Sequence, residues 1–349
     1  MTHRRHMEEA VALADVLHPH PNPRVGAVVL DTDGAVVGRG AHAGPGTPHA
    51  EVLALDEAGS RARGGTVVVT LEPCDHDGRT PPCTSALLDA KVGRVVVGVV
   101  DPDERVSGRG IARLRDAGVE IEVGIASEIV EELDPGYLHH RRTGRPLVTV
   151  KVASTLDGQV AAADGSSQWI TSVAAREDGH RLRARSDAVM VGAGTALADD
   201  PRLTVRLPGH EGPQPRPVLV AGRRPIPPSL TLFGRDPLVY AAEPVDLPGE
   251  VVVVPGPDGV DLPSVIDDLG KRGIVDVLVE GGPTLVGSLF RSGSVDRIVV
   301  YLAASVAGGV GRPAVDGVFE TIGAEVPVEI RGVELVGGDV RVDAVVGTR

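Results

Sequence analysis

The sequence predicts an α/β protein with largely parallel sheets, divided into two domains. Runs rich in Val, Ile and Leu alternate with segments rich in Ala, Leu, Arg and Glu, and Gly and Pro separate them. Strands that alternate with helices in this way form parallel sheets covered on both faces. The length of 349 residues corresponds to about two domains. A charged, polar connector, Arg141–Pro146, interrupts the alternation and marks the expected boundary.

In the N-terminal half, four runs rich in β-branched residues are predicted as strands: Val25–Leu30, Val67–Thr70, Val95–Val100 and Val119–Val123. Four neighbouring segments are predicted as helices: Met7–Leu17, His49–Gly59, Cys83–Ala90 and Gly108–Ala117. Ser107 is the expected N-cap of the last helix, because a serine oxygen accepts from the free backbone N–H groups of a first turn.

The same alternation resumes after the connector. The predicted strands are Leu147–Ala153, Ala188–Val191, Pro217–Ala221, Leu238–Ala241, Val251–Val254, Val275–Val279 and Asp296–Tyr301. The predicted helices are Val173–Arg185, with Thr171 or Ser172 as its N-cap, and Pro283–Arg291. The Pro- and Gly-rich stretch from Leu207 to Pro217 is predicted as an exposed loop. We therefore expect one domain over residues 1–145 and a second over residues 146–349.

Composition and charge exclude several classes of protein. A hydrophobic content of 42% argues against a disordered chain, and two cysteines cannot build a disulfide framework. No signal peptide is visible, and the apolar runs are far shorter than the ~18 residues of a membrane-spanning helix. We therefore expect a soluble, cytoplasmic protein. A net charge of −13 and a content of 2% aromatic residues argue against a nucleic-acid-binding surface.

The strongest chemical signal combines His49 and Glu51 with Cys74 and Cys83. One histidine and two thiolates supply three corners of a tetrahedral zinc site whose fourth corner stays open for water. Zinc lowers the pKa of that water to about 7, and Glu51 is placed to accept its proton and pass it to a leaving amine. The pattern matches the zinc-deaminase signature, except that eight residues separate the cysteines. The alternative, two cysteines that serve as small buried hydrophobic residues, leaves their position in one Pro-rich loop unexplained.

The flanking segments, Pro21–Gly26, Gly46–Glu51 and Thr70–Cys83, closely resemble one family. They are similar to the deaminase half of the bifunctional deaminase/reductases of riboflavin biosynthesis, in which the eight-residue cysteine spacing is characteristic. The resemblance implies a cytidine-deaminase-like three-layer domain that binds zinc. It implies as substrate a phosphorylated pyrimidine, 2,5-diamino-6-ribosylamino-4(3H)-pyrimidinone 5′-phosphate. The residues that it places in the pyrimidine or ribose-phosphate pocket are Asn22, His42, His76 and Arg79.

The C-terminal half carries no metal-ligand pattern and no Gly-x-Gly-x-x-Gly or Walker loop. Its Val279–Leu285 segment joins a strand end to a helix start through paired glycines, where a backbone can approach a phosphate. In order along the chain, Lys151–Gly158, Ser167–Ser172, Gly194–Arg206 and Glu280–Leu285 resemble the reductase half of the same family. The resemblance implies a dihydrofolate-reductase-like domain that transfers hydride from NADPH to the ribose C1.

The same resemblance assigns residues in this second site. The expected NADPH contacts are Ala153, Trp169, Thr171, Thr195, Asp199, Gly282, Pro283, Thr284 and Leu285. The expected substrate contacts are Ser167, Arg183, Leu203, Arg206 and Glu280. The two arginines suit a 5′-phosphate because a guanidinium offers paired donors, and Lys151 is a candidate to polarise or protonate the ribose oxygen. Trp169 lies in a polar loop, which favours a pocket wall over core packing.

Four positions depart from the family pattern. Ala27 stands where relatives often have Cys and Asp75 where many have Ser, and we expect both to be tolerated. Asp101–Glu104 replaces a more usual Asp-Pro-Asn-Pro and brings an extra carboxylate, Asp103 or Glu104, to the expected phosphate site. Val220-Ala221-Gly222 stands where relatives usually end the strand with Asp, so the cofactor contact there is open.

The preferred interpretation is a two-domain enzyme that catalyses successive steps with zinc and NADPH. Its expected partner is the small phosphorylated pyrimidine, without nucleic acid or membrane, and the family resemblance suggests a homo-oligomer, a dimer or larger. Three alternatives stay open: a deaminase with an inactive reductase half, a nucleic-acid base deaminase with a C-terminal binding module, and a non-enzymatic zinc-stabilised scaffold. The scaffold would need His42 or His76 as a fourth zinc ligand.

Overall fold

The computed structural model describes residues 2–17, 19–78, 80–257, 259–317 and 321–347. The chain divides into two compact units after Thr143. The assignment of one activity to residues 1–145 and the other to residues 146–349 stays a prediction. In the part of the chain that the structure describes, no helix is both long and apolar enough to span a membrane.

The N-terminal unit is built around one five-stranded sheet. Its elements in chain order are α1 (Thr2–Asp15), β1 (Gly26–Leu30), β2 (Val36–Ala41), α2 (Ala50–Ala58), β3 (Thr66–Leu71), α3 (Cys83–Ala90), β4 (Arg94–Val99), α4 (Arg109–Asp116), β5 (Glu120–Val123), α5 (Ser127–Leu133) and α6 (Pro135–Thr143). The strand order is β2-β1-β3-β4-β5. β3, β4 and β5 are parallel, whereas β1 is antiparallel to both of its neighbours.

Alternate residues of these strands are buried against two helical layers, which gives the three-layer arrangement. In β3, Val67 and Val69 belong to the apolar cluster beneath α2 and α3, whereas Val68 belongs to the cluster beneath α1, α5 and α6. Because successive side chains of a strand point to opposite faces, both faces of the sheet must be apolar. This explains why the sequence reads here as continuous valine runs.

Helix α2 packs unusually close to β2 because the strand presents glycines to it. A Cβ atom on Gly38 would lie 2.0 Å from the Ala54 carbonyl oxygen, and one on Gly40 would lie 2.1 Å from that of Ala50. Both neighbours are helix backbone, which cannot rotate away. These glycines therefore fix the height of α2 above the sheet, and with it the position of Glu51 in its first turn.

We expect Gly40→Ala to lower both stability and the activity of the N-terminal unit. Relieving the contact with Ala50 requires α2 to move, at a cost of about 1–3 kcal/mol, and a displacement of about 1 Å at a catalytic group costs roughly 100-fold in rate. Thermal unfolding and steady-state assays measure the two effects. The control is Gly234→Ala, since a Cβ there meets open space. Equal losses in both variants would show that close packing at Gly40 is not the cause.

The C-terminal unit contains a nine-stranded sheet. Its elements are β6 (Leu147–Thr155), β7 (Gln159–Ala161), α7 (Val173–Arg185), β8 (Ala188–Gly192), α8 (Ala193–Asp199), β9 (Arg216–Gly222), β10 (Leu238–Ala241), β11 (Glu250–Val253), β12 (Pro255–Gly256), β13 (Gly259–Val260), α9 (Leu262–Lys271), β14 (Asp276–Val279), α10 (Pro283–Arg291), β15 (Arg297–Ala303), β16 (Arg312–Pro313), β17 (Val328–Val336) and β18 (Asp339–Val346). The strand order is β11-β10-β9-β8-β14-β6-β15-β18-β17. The strands from β11 to β15 are parallel, whereas β18 is antiparallel to β15 and β17.

The predicted helix caps have different outcomes. Ser172 caps α7, because its hydroxyl oxygen accepts from the Ala175 N–H. The prediction of Ser107 as a cap is wrong: α4 begins at Arg109, and its N-cap is Gly108 in a left-handed conformation. The carboxylate of Glu72 supplies the missing acceptor, since it accepts from the N–H groups of Gly108 and Ile111 at 2.9 and 3.3 Å. Because the accepting carboxylate of Glu72 is distant in sequence from α4, no local sequence signal predicts this cap.

Candidate active sites

Three predicted ligand residues converge at one edge of the N-terminal sheet. His49 is the N-cap of α2, Cys83 is the first residue of α3, and Cys74 lies in the loop that follows β3. The Nδ1 atom of His49 lies 3.1 Å from the Cys83 sulfur and 3.5 Å from that of Cys74, and the two sulfurs are 3.5 Å apart. Residues far apart in sequence thus form one cluster.

The cluster fits a zinc ion. Around a tetrahedral zinc, nitrogen and sulfur ligands lie about 3.5–3.8 Å from one another, and a disulfide would require about 2.05 Å between sulfurs. Hydrogen bonds from the Cys83 thiol and from His49 hold the pKa of the Cys74 thiol well below its usual value, although the thiol is buried. Donation to Cys74 and burial raise the pKa of Cys83. A coordinated divalent cation deprotonates both thiols, so the donor set suits zinc with an open fourth position.

The orientation of His49 depends on a residue that the sequence analysis did not single out. Nδ1 faces the two sulfurs, and Nε2 lies 3.3 Å from the Thr80 hydroxyl oxygen. When Nδ1 is a metal ligand, Nε2 carries the proton and donates it to Thr80, which holds the ring in place. A threonine inside a loop carries no motif, so the sequence offered no signal for this role.

Glu51 lies in the first turn of α2 and is almost fully buried, with 3% of its surface exposed. Burial, assisted by the negative charge of Cys74, raises the pKa of Glu51 to about 7. A carboxyl group with a pKa near neutrality can both accept and release a proton at physiological pH. Its burial beside the cysteine cluster therefore suits a general acid–base.

The predicted pocket residues of this unit have different surroundings. His42 is buried, its Nδ1 donates to the Pro48 carbonyl at 3.2 Å, and its Nε2 accepts from the Asn22 amide at 2.8 Å. The ring of His42 lies 5.0 Å from that of His49, so Asn22 and His42 border the metal cluster. His76 is half-buried, and its Nδ1 has no hydrogen-bond partner among the described residues. Arg79 lies outside the described residues.

The extra carboxylate at Asp103 is neutralised by two arginines. Arg105 makes a bidentate contact with it, with Nη2 at 2.8 Å, and the Nε of Arg141 lies 3.2 Å away. These contacts, led by Arg105, lower the pKa of Asp103 to about 2. Asp103 therefore carries its charge within an ion-pair network, and this departure from the family pattern need not repel a phosphate. Burial raises the pKa of the neighbouring Asp101 to about 6.

The other departures in this unit are also accommodated. Asp75 accepts from the Thr84 hydroxyl and from Arg113, each at 2.5 Å, and so joins the cysteine loop to α3 and α4. Ala27 is fully buried in β1. Gly110 of α4 approaches the same loop so closely that a Cβ there would lie 1.9 Å from the Pro73 carbonyl oxygen.

In the C-terminal unit, every predicted site residue lines one cavity of about 1010 Å³. The expected cofactor contacts at its wall are Ala153, Trp169, Thr171, Thr195, Asp199, Gly282, Pro283, Thr284 and Leu285. The expected substrate contacts and the candidate proton donor there are Ser167, Arg183, Leu203, Arg206, Glu280 and Lys151. The cavity lies at the carboxyl ends of β8, β9 and β14, where ligands bind in open parallel sheets.

An ion pair fixes the polar part of this cavity. The Nε and Nη2 atoms of Arg183 donate to the two carboxylate oxygens of Glu280 at 2.5 and 2.6 Å, and Nη1 donates to the Thr204 carbonyl at 2.8 Å. Burial opposes ionisation of Glu280, but the charges of Arg183 and Lys151 outweigh it and lower the pKa of Glu280. Arg183 thus has its side-chain donors engaged. Among the described residues, the Arg206 guanidinium donates to the Thr204 hydroxyl alone, at 3.3 Å.

The loop residues around Trp169 form a wall of the cavity. The indole ring is 68% exposed and carries the Arg176 guanidinium 4.5 Å above its centre. Arg176 also donates to the Thr171 carbonyl at 2.6 Å, so one side chain links the Trp169 ring to the end of the loop. The core-packing alternative for Trp169 is therefore excluded.

The paired glycines precede α10, as predicted from the sequence. Gly281 has φ of 102°, a conformation that only glycine adopts readily, and α10 begins at Pro283 with Gly282 as its N-cap. A Cβ on Gly282 would lie 3.0 Å from the Thr195 hydroxyl oxygen. The turn therefore brings backbone, Thr195 and the first N–H groups of a helix to the same part of the cavity, which suits a phosphate.

The cavity has a strongly positive lining, and only some of its basic residues were predicted from the sequence. Eight arginines and Lys151 face three carboxylates, whereas the chain as a whole has a net charge of −13. Arg202, Arg223 and Arg224 are among the arginines that the sequence did not single out. Their signal was weak, because isolated arginines in loops are mostly solvated charges. Only the fold brings them to one surface.

Comparisons with known proteins cover both halves. The family model of the cytidine and deoxycytidylate deaminase zinc-binding region matches residues 1–99, and the RibD C-terminal domain matches residues 146–342. A riboflavin biosynthesis protein RibD of Mycobacterium tuberculosis is 45% identical over 298 residues, which cover 83% of this chain and 81% of that protein. The RibD of Escherichia coli is 40% identical and covers 84% of each chain.

Solved structures agree with these matches. Acinetobacter baumannii RibD superposes with a TM-score of 0.91 at 35% identity, over 99% of each chain. A Thermotoga maritima protein superposes with a TM-score of 0.89 at 31% identity, again over 99% of each chain. That protein is described as a diaminohydroxyphosphoribosylaminopyrimidine deaminase/5-amino-6-(5-phosphoribosylamino)uracil reductase. The likeness extends through both units.

Proposed function

Because the chain belongs to the RibD family of bifunctional deaminase/reductases of riboflavin biosynthesis, we propose that its substrate is 2,5-diamino-6-ribosylamino-4(3H)-pyrimidinone 5′-phosphate. The N-terminal unit deaminates the pyrimidine, and the C-terminal unit then reduces the ribosyl to a ribityl side chain with NADPH. The observation that carries this proposal is the presence in one chain of a zinc-fitting cluster beside Glu51 and of a cavity with a positive lining.

In the deaminase half, His49, Cys74 and Cys83 hold the zinc ion. Zinc bound there lowers the pKa of a coordinated water to about 7. Glu51 accepts the proton of the attacking water and delivers it to the exocyclic amine, which leaves as ammonia while a carbonyl replaces it on the ring. Burial keeps bulk water from competing for the proton during both transfers.

The remaining N-terminal assignments concern substrate binding. The Pro48 carbonyl sets the tautomer of the His42 ring, because it accepts a hydrogen bond from Nδ1. His42 is then a neutral imidazole with Nδ1 protonated, and its Nε2 accepts from the Asn22 amide. We assign Asn22 and His42 to the pyrimidine edge. His76, with its free ring nitrogen, and Arg79 are assigned to the ribose phosphate. Both belong to the loop between the two cysteines, so metal and substrate binding share one loop.

In the reductase half, NADPH bound in this cavity would supply a hydride to C1 of the ribose. The bond from C1 to the ring oxygen would then break, and that oxygen would need a proton from the protein. Lys151, whose side chain lines the cavity, is the proposed proton donor. Arg206 is the proposed ligand of the 5′-phosphate, because its guanidinium forms no ion pair with a carboxylate of the described residues. Arg183 is proposed to hold Glu280 in position and to add positive charge beside the phosphate.

The other predicted contacts complete this site. Ser167 and Leu203 are assigned to the substrate. The indole of Trp169 and the residues Ala153, Thr171, Thr195 and Asp199 are assigned to NADPH, with its pyrophosphate at the turn of Gly282, Pro283, Thr284 and Leu285. A cytoplasmic location is part of the proposal, since zinc-binding cysteines must stay reduced. An intact cavity favours the bifunctional enzyme over a deaminase with an inactive second half.

The test is incubation of the purified protein with the diaminopyrimidine substrate, with and without NADPH, followed by identification of the products. We expect ammonia and the deaminated ribosyl compound without NADPH, and the ribityl compound with it. Ammonia release without any ribityl product would instead support the inactive-reductase alternative. Activity on a cytosine-containing oligonucleotide would support the nucleic-acid alternative.

We further propose that two copies of the chain associate through β17. This nine-residue strand ends the large sheet and exposes one apolar face, with Leu335 78% and Val333 62% exposed. An edge strand of this length and character is a pairing surface. An antiparallel two-fold pairing that sets Ile330 opposite Leu335 joins the apolar faces of the two strands, so the strand is complementary to itself in apolar surface.

We expect Leu335→Glu to convert a dimer into a monomer, because the two-fold interface would receive two buried carboxylates. Light scattering coupled to gel filtration should give about twice 36.1 kDa for the wild type and 36.1 kDa for the variant. Val16→Glu is the control, since Val16 is 75% exposed outside β17. A wild-type monomer, or a variant that remains dimeric, would contradict the assignment of this interface.

A further inference from the structure

We propose that Arg223 and Arg224 bind the 2′-phosphate of NADPH and thereby make the reductase half prefer NADPH over NADH. The inference rests on the proposed function, because it assumes that the cavity binds a nicotinamide dinucleotide. It assigns a specificity-determining role to two residues that neither the family motifs nor the sequence signals had marked.

The position of the two arginines in the sheet fits the adenosine end of the cofactor. The groups proposed to act on the ribose, Lys151 and Glu280, lie on β6 and directly after β14. The strand order β9-β8-β14-β6 places β9 three strands from β6, which is about 14 Å at the usual strand spacing. Arg223 and Arg224 directly follow β9 and line the cavity there. An extended dinucleotide with its nicotinamide over β6 and its pyrophosphate beside α10 brings its adenosine to β9.

Apolar side chains that suit contact with an adenine ring lie at the same end. Four side chains from the β13–α9 region line the cavity beside β9: Pro257, Val260, Leu262 and Pro263. A ring that packs against such residues leaves its ribose, and therefore the 2′-phosphate, outside this contact. Apolar walls with a few charged groups are typical of nucleotide sites.

The guanidinium groups of Arg223 and Arg224 are available for a ligand. Both side chains are exposed, and neither makes an ion pair or hydrogen bond with a described residue. An added Cβ on Gly194 would lie 3.8 Å from Nη1 of Arg224, so this guanidinium lies beside a residue that lines the cavity. Arg183 and Arg176, by contrast, are engaged by Glu280 and by the Trp169 loop.

The end of β9 leads directly into the two arginines. A guanidinium binds phosphate through paired donors, and in doubly wound dinucleotide sites an arginine near the adenosine ribose accommodates the 2′-phosphate. Here β9 ends in Ala221 and Gly222, and Gly222 has φ of 63°, so the chain turns sharply into Arg223. The two arginines therefore lie directly after the turn that ends β9.

The test compares ligands that differ only in the 2′-phosphate. Adenosine 2′,5′-bisphosphate and AMP are titrated calorimetrically into the full-length wild type and into the R223A/R224A double variant. We expect the affinity for the bisphosphate to fall roughly 30- to 100-fold and that for AMP to stay within twofold, since hydrogen bonds to charged groups contribute strongly. R223K/R224K should retain part of the affinity, and R109A/R115A, which removes two exposed arginines of α4, is the charge-matched control.

Kinetics supply the second readout. The double variant should raise the KM for NADPH by a similar factor and leave kcat with NADPH and kcat/KM with NADH within twofold of wild type. A folded double variant that keeps its preference for the bisphosphate and for NADPH would overturn the assignment of Arg223 and Arg224. A wild type that binds neither nucleotide and oxidises neither cofactor would instead overturn the proposed function of this half, and the inference with it.

Discussion

Replacing Glu51 with Gln should lower deaminase turnover by about 10³-fold or more while NADPH oxidation with the deaminated substrate stays within twofold. The amide fills nearly the same volume as the carboxyl group, so the buried site keeps its shape. It cannot accept a proton from water or deliver one to the leaving amine, and general acid–base catalysis of this kind contributes about 10²–10⁴-fold. Both proton transfers fail together.

Ammonia release and NADPH oxidation, each followed with its own substrate, measure this prediction. Asp56→Asn is the matched control, because it neutralises an exposed carboxylate on the same helix, α2. A folded Glu51→Gln variant that loses both activities would contradict two independent sites. One that keeps deaminating at the wild-type rate would remove Glu51 from the reaction.

Replacing Cys74 and Cys83 together with Ser should remove zinc and abolish ammonia release. Wild-type protein is expected to contain about one zinc per chain, because His49, Cys74 and Cys83 form the one His/Cys/Asp/Glu cluster of metal-ligand geometry among the described residues. Serine oxygens are poor ligands beside a single histidine, so the ion dissociates. The reductase half should keep its NADPH oxidation.

Elemental analysis after gel filtration gives the zinc content, and the two activity assays give the consequences. Thr80→Ala provides a graded comparison: loss of the hydrogen-bond partner of His49 should weaken zinc binding about 10- to 100-fold without abolishing it. Ser85→Ala, on the same helix as Cys83, should leave zinc binding unchanged. Full zinc retention in the double cysteine variant would sink the proposed metal site.

The sequence predicted the central strands and the metal cluster because both have local signals. Valine runs mark strands that are buried on both faces, and the His49–Glu51 and Cys74–Cys83 spacings mark a zinc site. β2 was missed because Gly38 and Gly40 look like strand breakers, although helix packing requires them. β17 and β18 were missed because they contain no continuous apolar run: their apolar and charged residues alternate, as in strands with one exposed face.

The roles that the sequence could not predict are those created by contacts between distant residues. Arg183 and Glu280 are 97 positions apart, so their bidentate ion pair has no sequence signature, and the two were predicted separately as substrate contacts. The capping of α4 by Glu72 links residues 36 positions apart. From the sequence alone, the Asp103 carboxylate is expected to disfavour phosphate binding. In the structure, Arg105 and Arg141 lie beside it and neutralise its charge. Each case requires the fold to be known before the chemistry can be judged.

The arginine lining of the C-terminal cavity has a kinetic consequence. An anion far from this protein meets a net negative charge, which slows its approach, whereas an anion near the cavity mouth meets clustered guanidinium groups. The Debye length is about 8 Å at physiological ionic strength, so the distant repulsion is largely screened and the local attraction survives. Raising the salt concentration from a very low value should first speed and then slow the association of phosphorylated ligands. The rate of ligand capture would thus pass through a maximum with ionic strength.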